Sequence, residues 1–297
     1  MSTLYTHQSS NVRKTWLLMS IFLIIVIGVG WGLSWYFGMI EILYIAVGIA
    51  VVQSAVSYWR SDKIALSLNN AKQIEKSDNP ELWNITENLA ITAGLPMPRL
   101  YIMDEPAPNA FATGRNPEHS AIAVTSGLLH ILDRTELEGV IAHEMSHIGN
   151  RDILVMSVTV VLVGVLTLVA DLFLRFTIFG GRGRDSRDGG GAIMLVVGIV
   201  MLIVAPIAGL IIKSAISRKR EFLADASGAL LTRYPEGLAN ALRKISSYAG
   251  KMRKANHATA HMFISNPFGA KGRKGFNKLF ATHPPMEERV EQLRVKG

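Results

Sequence analysis

The chain has 297 residues, 49% of them hydrophobic and 18% charged, with a formal net charge of +8. Its mean hydropathy of +0.27 is high for a soluble globular protein and points to a membrane class. The absence of cysteine excludes disulfides, thiolate metal ligands and a cysteine nucleophile. The basic residues flank apolar runs and come with no nucleic-acid recognition motif, so they read as a cytoplasmic membrane face and no nucleic-acid partner is expected.

Thr15 to Phe37 form a first uncharged apolar run, too long for the core of a cleaved leader. Gly38 to Trp59 form a second, with Glu41 near its start. Only a tight turn fits between them, so residues 1–59 are predicted to be a membrane hairpin. Arg13 and Lys14 precede it, Arg60 and Lys63 follow it and the turn has no basic residue; both outer ends are therefore expected in the cytoplasm. Gly28 and Gly32 form a GxxxG pair, a hint of close helix packing.

Residues 60–152 read as soluble. Apolar positions at helical spacing predict a helix over 79–95, ended by Gly94 and Pro96. Strands are predicted over 99–105, 109–114 and 120–129, the last two joined by a Gly-Arg-Asn-Pro turn and the third running into a helix. A further helix opens at Asp133 or Thr135, with Glu136 and Glu138 in its first turn. A third apolar run, Ile153 to Phe179, contains Asp171 and Arg175, and a fourth spans Ala192 to Ile212. The Gly-rich "GGRGRDSRDGGG" lies between them. A second hairpin over 153–212 is expected, the alternative being that the interrupted third run lies in the interface or against the soluble part. Residues 213–297 are the second half of a soluble domain that neither piece completes alone.

The chemistry lies in "VIAHEMSHIGNRD". On a helix, His143 and His147 share one face a turn apart and can direct two imidazoles at one ion. Glu144 sits beside the first, near any water such an ion holds, which is the HExxH arrangement of two ligands and a general base. A catalytic zinc site wants a third protein ligand. The longer metzincin pattern fails, because Asn150 and Ile153 stand where Gly and His are needed. The best third donor is Glu221 in "SRKREFLADASG", with Asp225 one turn on, placed to accept a hydrogen bond from a ligand histidine. "HATAH" also sets His257 and His261 four apart, but no acid adjoins them, and they read as surface or packing.

These pieces, with "NAFATG", "HATAHMFISNP" and "THPPMEERVEQL" in the same order along nearly the whole chain, resemble the HtpX-type membrane zinc metalloproteases, relatives of the CaaX prenyl proteases. The resemblance implies an α-helical membrane protein with four membrane-associated helices. It would carry an α+β, gluzincin-like metalloprotease domain whose small sheet lies beside the HExxH helix. It implies one Zn2+ on His143, His147 and Glu221, Glu144 as base and Asp225 orienting a ligand. Asn109 and His283 become candidates to bind substrate or to stabilise the oxyanion, with Ala110 and Phe111 on the strand a peptide would lie along. The implied work is endopeptidase quality control of misfolded membrane proteins at the cytoplasmic surface of the cell membrane.

Two rival readings are weaker on the residues. An intramembrane protease would hold its motif inside an apolar span, whereas Asp133, Arg134, Glu136, Glu138, Asn150, Arg151 and Asp152 make this segment interfacial. A zinc-binding scaffold would have no need of Glu144.

Overall fold

The structure is a computed structural model and describes residues 4–164, 218–256, 258–269 and 284–296. The fourth apolar run, the third beyond Gly164, and His257 and His283 lie outside the described residues.

Among the described residues, two helices are individually long and apolar enough to cross a membrane. They are α1 (Leu4–Phe37), whose most apolar 18-residue stretch has a mean hydropathy of 2.4, and α2 (Glu41–Trp59), where it is 1.7. At 1.5 Å per residue, α2 is roughly 28 Å long, about the hydrocarbon thickness of a bilayer. Exposed Trp16 and Trp59 mark one end of the pair, and Trp31, Trp35, Tyr36 and Phe37 the other, as expected for rings at headgroup depth. The helices approach most closely at Gly30, where an added Cβ would lie 2.2 Å from the Ala46 Cβ. Gly28 and Gly32 meet nothing within 4 Å, so within the chain the close approach falls on Gly30 and not on the GxxxG pair. Two residues turn a helix by roughly 200°, which puts Gly30 on the opposite face.

After α3 (Ser61–Leu68) and β1 (Lys72–Gln73) comes α4 (Pro80–Ala93), started by the Asn79 side chain accepting from the Leu82 N–H and stopped by left-handed Gly94. Then follow β2 (Arg99–Met103), β3 (Ala110–Gly114), β4 (Ser120–Thr125) and α5 (Ser126–Ile131). The third strand is shorter than its apolar run because the Thr125 hydroxyl accepts from the Leu128 N–H and starts α5. The sheet order is β1-β2-β4-β3, with β2 parallel to β4 and the other pairs antiparallel.

Both faces of this sheet are covered, which is why β3 and β4 are buried throughout and read as unbroken apolar stretches. Leu100, Ala110, Ala112, Ile122 and Val124 pack with α4 and with α6 (Arg134–Gly149), the HExxH helix. Their alternates Tyr101, Met103, Phe111, Ala121 and Ala123 belong to a second core. That core takes in Leu18, Met19 and Phe22 of the first membrane helix and the apolar side of α7 (Asp152–Gly164). Every residue from Asp152 to Val163 is buried, so the opening of the third apolar run lies inside the protein.

A capping box at Asp133 and Glu136 opens α6, and every residue from Val140 to Ile148 is buried. Three helices follow: α8 (Arg218–Thr232), α9 (Pro235–Ser247) and α10 (Met286–Lys296). Helix α9 lies so close to α6 that a Cβ on Gly139 would stand 2.6 Å from the Leu238 backbone nitrogen. Gly139→Ala must push the HExxH helix off its support. Thermal inactivation should show a loss of about 1–3 kcal/mol, together with reduced activity; unchanged values would mean that the contact relaxes freely.

Candidate metal centre and active site

Helix α6 turns its two histidines inward, and both Nδ1 atoms meet carboxylates. His143 Nδ1 lies 2.9 Å from Asp225 Oδ1, and His147 Nδ1 lies 3.0 Å from Asp152 Oδ2. Each carboxylate draws the ring proton onto Nδ1, so the Nε2 atoms carry lone pairs. These face one another across 3.2 Å. Glu221 closes the triangle, with Oε1 3.7 Å from His147 Nε2 and Oε2 4.0 Å from His143 Nε2. The three side chains are buried and offer donor atoms all within 4.8 Å of one another, a set able to hold a metal ion.

Two opposed lone pairs at this distance repel unless a proton or cation lies between them. Burial acts to lower the pKa of His147, but Asp152, Glu221 and Glu144 outweigh it and raise the pKa to about 9. For His143 burial prevails over Asp225, helped by the nearby Arg289, and lowers its pKa to about 4. The pair therefore keeps its proton on His147.

Glu144 is buried beside them. Burial raises its pKa to about 7, even though His147 and the Ala112 backbone N–H both favour its charged form. A carboxylate poised there can take and return a proton near neutral pH. For Asp225 the burial penalty is outweighed by Arg289, whose guanidinium grips both oxygens at 2.6 and 2.8 Å and lowers the pKa to about 2.

The structure thus brings together His143, Glu144, His147, Glu221 and Asp225. Asn109, Ala110 and Phe111 also make contacts within the chain. Asn109 is buried and its amide is taken up within the chain: Nδ2 donates to Ser265 O at 2.9 Å and Oδ1 accepts from Ser265 N at 3.1 Å. Ala110 O accepts from the Ile264 N–H, and the Phe111 ring sits edge-on to Phe263. His261 is buried with Nε2 3.0 Å from Met156 O, a packing contact.

Two members of the site escaped the sequence reading. Asp152 is brought beneath His147 by an 84° bend between α6 and α7 at left-handed Arg151, and its closeness to the second histidine in sequence was the available signal. Arg289 carried almost none, being one base in an acidic helix start. Yet it is fully buried, 3.4 Å from His143 Nδ1 and 3.8 Å from Glu221 Oε2.

The sequence profile of peptidase family M48 matches residues 76–296. The chain belongs to peptidase family M48. A "Protease HtpX homolog" of Caldanaerobacter subterraneus subsp. tengcongensis is 50% identical over 297 residues, covering 98% of this chain and 97% of the relative. Another, of Tropheryma whipplei, is 44% identical and covers 99% of both chains, and one of Lactobacillus helveticus is 43% identical, covering 98% and 99%. The solved structure of S. mikatae Ste24p aligns at a TM-score of 0.49 and 18% identity, covering 97% of this chain and 67% of that one. This M48 peptidase is a membrane-bound metalloprotease of the HtpX type.

The Arg289–Asp225 pair generates a test. Arg289→Met fills similar volume and leaves the buried Asp225 carboxylate unpaired, which costs about 3–5 kcal/mol. Thermal inactivation in detergent should fall by a corresponding margin, whereas a surface substitution such as Arg294→Met should leave it unmoved.

Proposed function

We propose that this M48 peptidase is a zinc-dependent endopeptidase that works at the cytoplasmic membrane surface on unfolded or misfolded membrane proteins. The observation that carries the proposal is the convergence of His143 Nε2, His147 Nε2 and Glu221 beside the buried Glu144. Zinc bonds of about 2.0–2.1 Å in tetrahedral geometry imply ligand edges of roughly 3.3 Å. The histidine edge of 3.2 Å fits, while the Glu221 oxygens stand farther off, Oε1 at 3.7 Å from His147 and Oε2 at 4.0 Å from His143. Two imidazoles, one carboxylate and no thiolate are the donor set of gluzincin-type catalytic zinc.

Charge also supports a dication. Asp152, Glu144, Glu221 and Asp225 are buried carboxylates, and Arg220 and Arg289 are the buried guanidiniums beside them. With Glu144 ionised, these carboxylates outnumber the guanidiniums and leave a negative excess that a divalent cation offsets once His147 is neutral.

In this reading His143, His147 and Glu221 hold the zinc, and Asp225 and Asp152 fix the two rings. Zinc supplies Lewis acidity, polarising the scissile carbonyl and acidifying a water. Glu144 takes that water's proton and delivers it to the leaving amine. The substrate backbone lies along β3, at Asn109, Ala110 and Phe111. At rest the Ala112 N–H faces Glu144 and favours its charged form; an incoming peptide takes that N–H for its own carbonyl and frees the carboxylate for the water. His283, just ahead of the buried Pro284, is the proposed donor to the oxyanion.

The domain plan follows the same reading. A membrane hairpin over 1–59 and a second over 153–212 bracket two halves of one protease domain, 60–152 and 213–297. The ligands lie on both halves, so the hairpins hold the site against the bilayer. Backbone recognition along a strand suits substrates of mixed sequence.

Wild type and Glu144→Gln, purified in detergent with chelator and then reloaded, should each hold about one zinc. The variant should cut an unfolded substrate about 10²–10⁴-fold more slowly; equal cutting would overturn the mechanism, and zinc-free wild type would overturn the metal. Loading at pH 8 should release close to one proton, because a His147 whose pKa is about 9 must become neutral to bind. Affinity should therefore rise with pH up to about 9, and calorimetry in buffers of different ionisation enthalpy measures the proton directly.

A further inference from the structure

The first membrane helix reaches into the metal centre. Asn11, on α1 and 4% exposed, donates through Nδ2 to Asp152 Oδ1 at 2.7 Å and to the Asn150 carbonyl at 3.0 Å. These two acceptors stand on either side of Arg151, the left-handed residue at which α6 bends into α7. The other oxygen of the same carboxylate, Asp152 Oδ2, is the atom that holds the His147 ring.

We propose that Asn11 is a positioning residue for His147, acting through Asp152, so that the first membrane helix is a structural part of the metal centre as well as an anchor. The proposal rests on the reading of His147 as a metal ligand. Asp152 stands on the far side of a sharp bend from the histidine it orients, and a left-handed non-glycine residue such as Arg151 is intrinsically unfavourable. Local chain stiffness therefore does not fix this carboxylate. Asn11 ties both sides of the bend to one amide group and occupies the oxygen that His147 does not use. Arg220 faces the same oxygen at 3.8 Å and supplies charge, but it lies beyond hydrogen-bond length and sets no angle. The amide, with two bonds of 2.7 and 3.0 Å, does set it.

A nearby contact serves as control. Gln8, one turn earlier on α1, donates to the Gly149 carbonyl at 2.7 Å. It docks the same helix on the same end of α6 without touching Asp152. If Asn11 only docked the helix, Gln8→Leu and Asn11→Leu would act alike.

The test is the zinc dissociation constant of the full-length protein in detergent, measured by competition with a chromophoric chelator, with the thermal midpoint of each metal-free form alongside. Asn11→Leu should bind zinc about ten- to a hundred-fold more weakly, the usual cost of removing a group that orients a ligand. Gln8→Leu should stay within about threefold. With Asp152→Asn already present, Asn11→Leu should add no further loss, since the two residues act in series. Asn11→Asp keeps the side-chain size and removes the donor, and it should behave like Asn11→Leu if the latter fails to accumulate. Unaltered affinity in both Asn11 variants, or an equal loss in Gln8→Leu, overturns the proposal. A wild type that binds no zinc overturns the metal reading beneath it, an outcome that needs no variant to detect.

Discussion

Two imidazole lone pairs pointing at each other across 3.2 Å in a buried site are unfavourable unless something positive lies between them, and much of this chain is arranged to hold them so. Neither ring can turn away, because each Nδ1 is held by a carboxylate, and neither carboxylate is free. Asp225 is gripped by Arg289 from α10, and Asp152 is held by Asn11 from α1. The two histidines thus connect helices from opposite ends of the sequence. Energetically this is demanding, since a buried ion pair recovers its desolvation cost only when its remaining hydrogen bonds are also made. Arg289 meets that condition through a third contact, its Nη1 donating to the Ile264 carbonyl.

The sheet explains how a soluble site and a membrane anchor can be one object. Its strands alternate between a core built with α4, α6 and α9 and a core shared with α1 and α7. A displacement of α1 is therefore felt at Phe111 and Ala123 as well as at Asn11. Tight interiors transmit such shifts because they have few voids to absorb them. Arg115, in the β3–β4 connection, adds a further tie by stacking on Trp59 at the end of α2, 4.6 Å from the ring centroid.

What could be read from the sequence divides along a physical line. Local features were legible. The α6 start followed from Asp133 and Glu136, the α4 end from Gly94, and the pairs His143–His147 and Glu221–Asp225 from spacing of four on helices; that the two pairs meet was inferred from the missing third ligand and the family resemblance. Features that depend on where a remote segment lands were not. Gly30 rather than Gly28 faces α2 because helix rotation is set by the partner. Asn109 bonds to Ser265, well over a hundred residues away, which no local pattern announces. Arg289 is the clearest case: the property that matters, burial against Asp225, belongs to the fold and not to "MEERVEQL".

The free side of β3 brings these constraints together. Alternate residues of an edge strand turn their backbone groups away from the sheet, and an edge left open invites another strand. Here the Ala110 N–H goes to the Asn109 side chain, the Ala110 carbonyl accepts from Ile264 and the Gly114 N–H goes to Ser157 Oγ, while the Ala112 N–H faces the Glu144 carboxylate. Such an edge resists adventitious pairing in the resting state. The bonds are unequal, however. Those to Asn109, Ile264 and Ser157 are neutral and belong to the packing, while the one at Ala112 meets a carboxylate whose pKa of about 7 leaves it part-protonated at physiological pH. Of the four contacts, it is the one whose strength changes with a single proton. The most easily released position on the edge is therefore also the one that involves the proposed base.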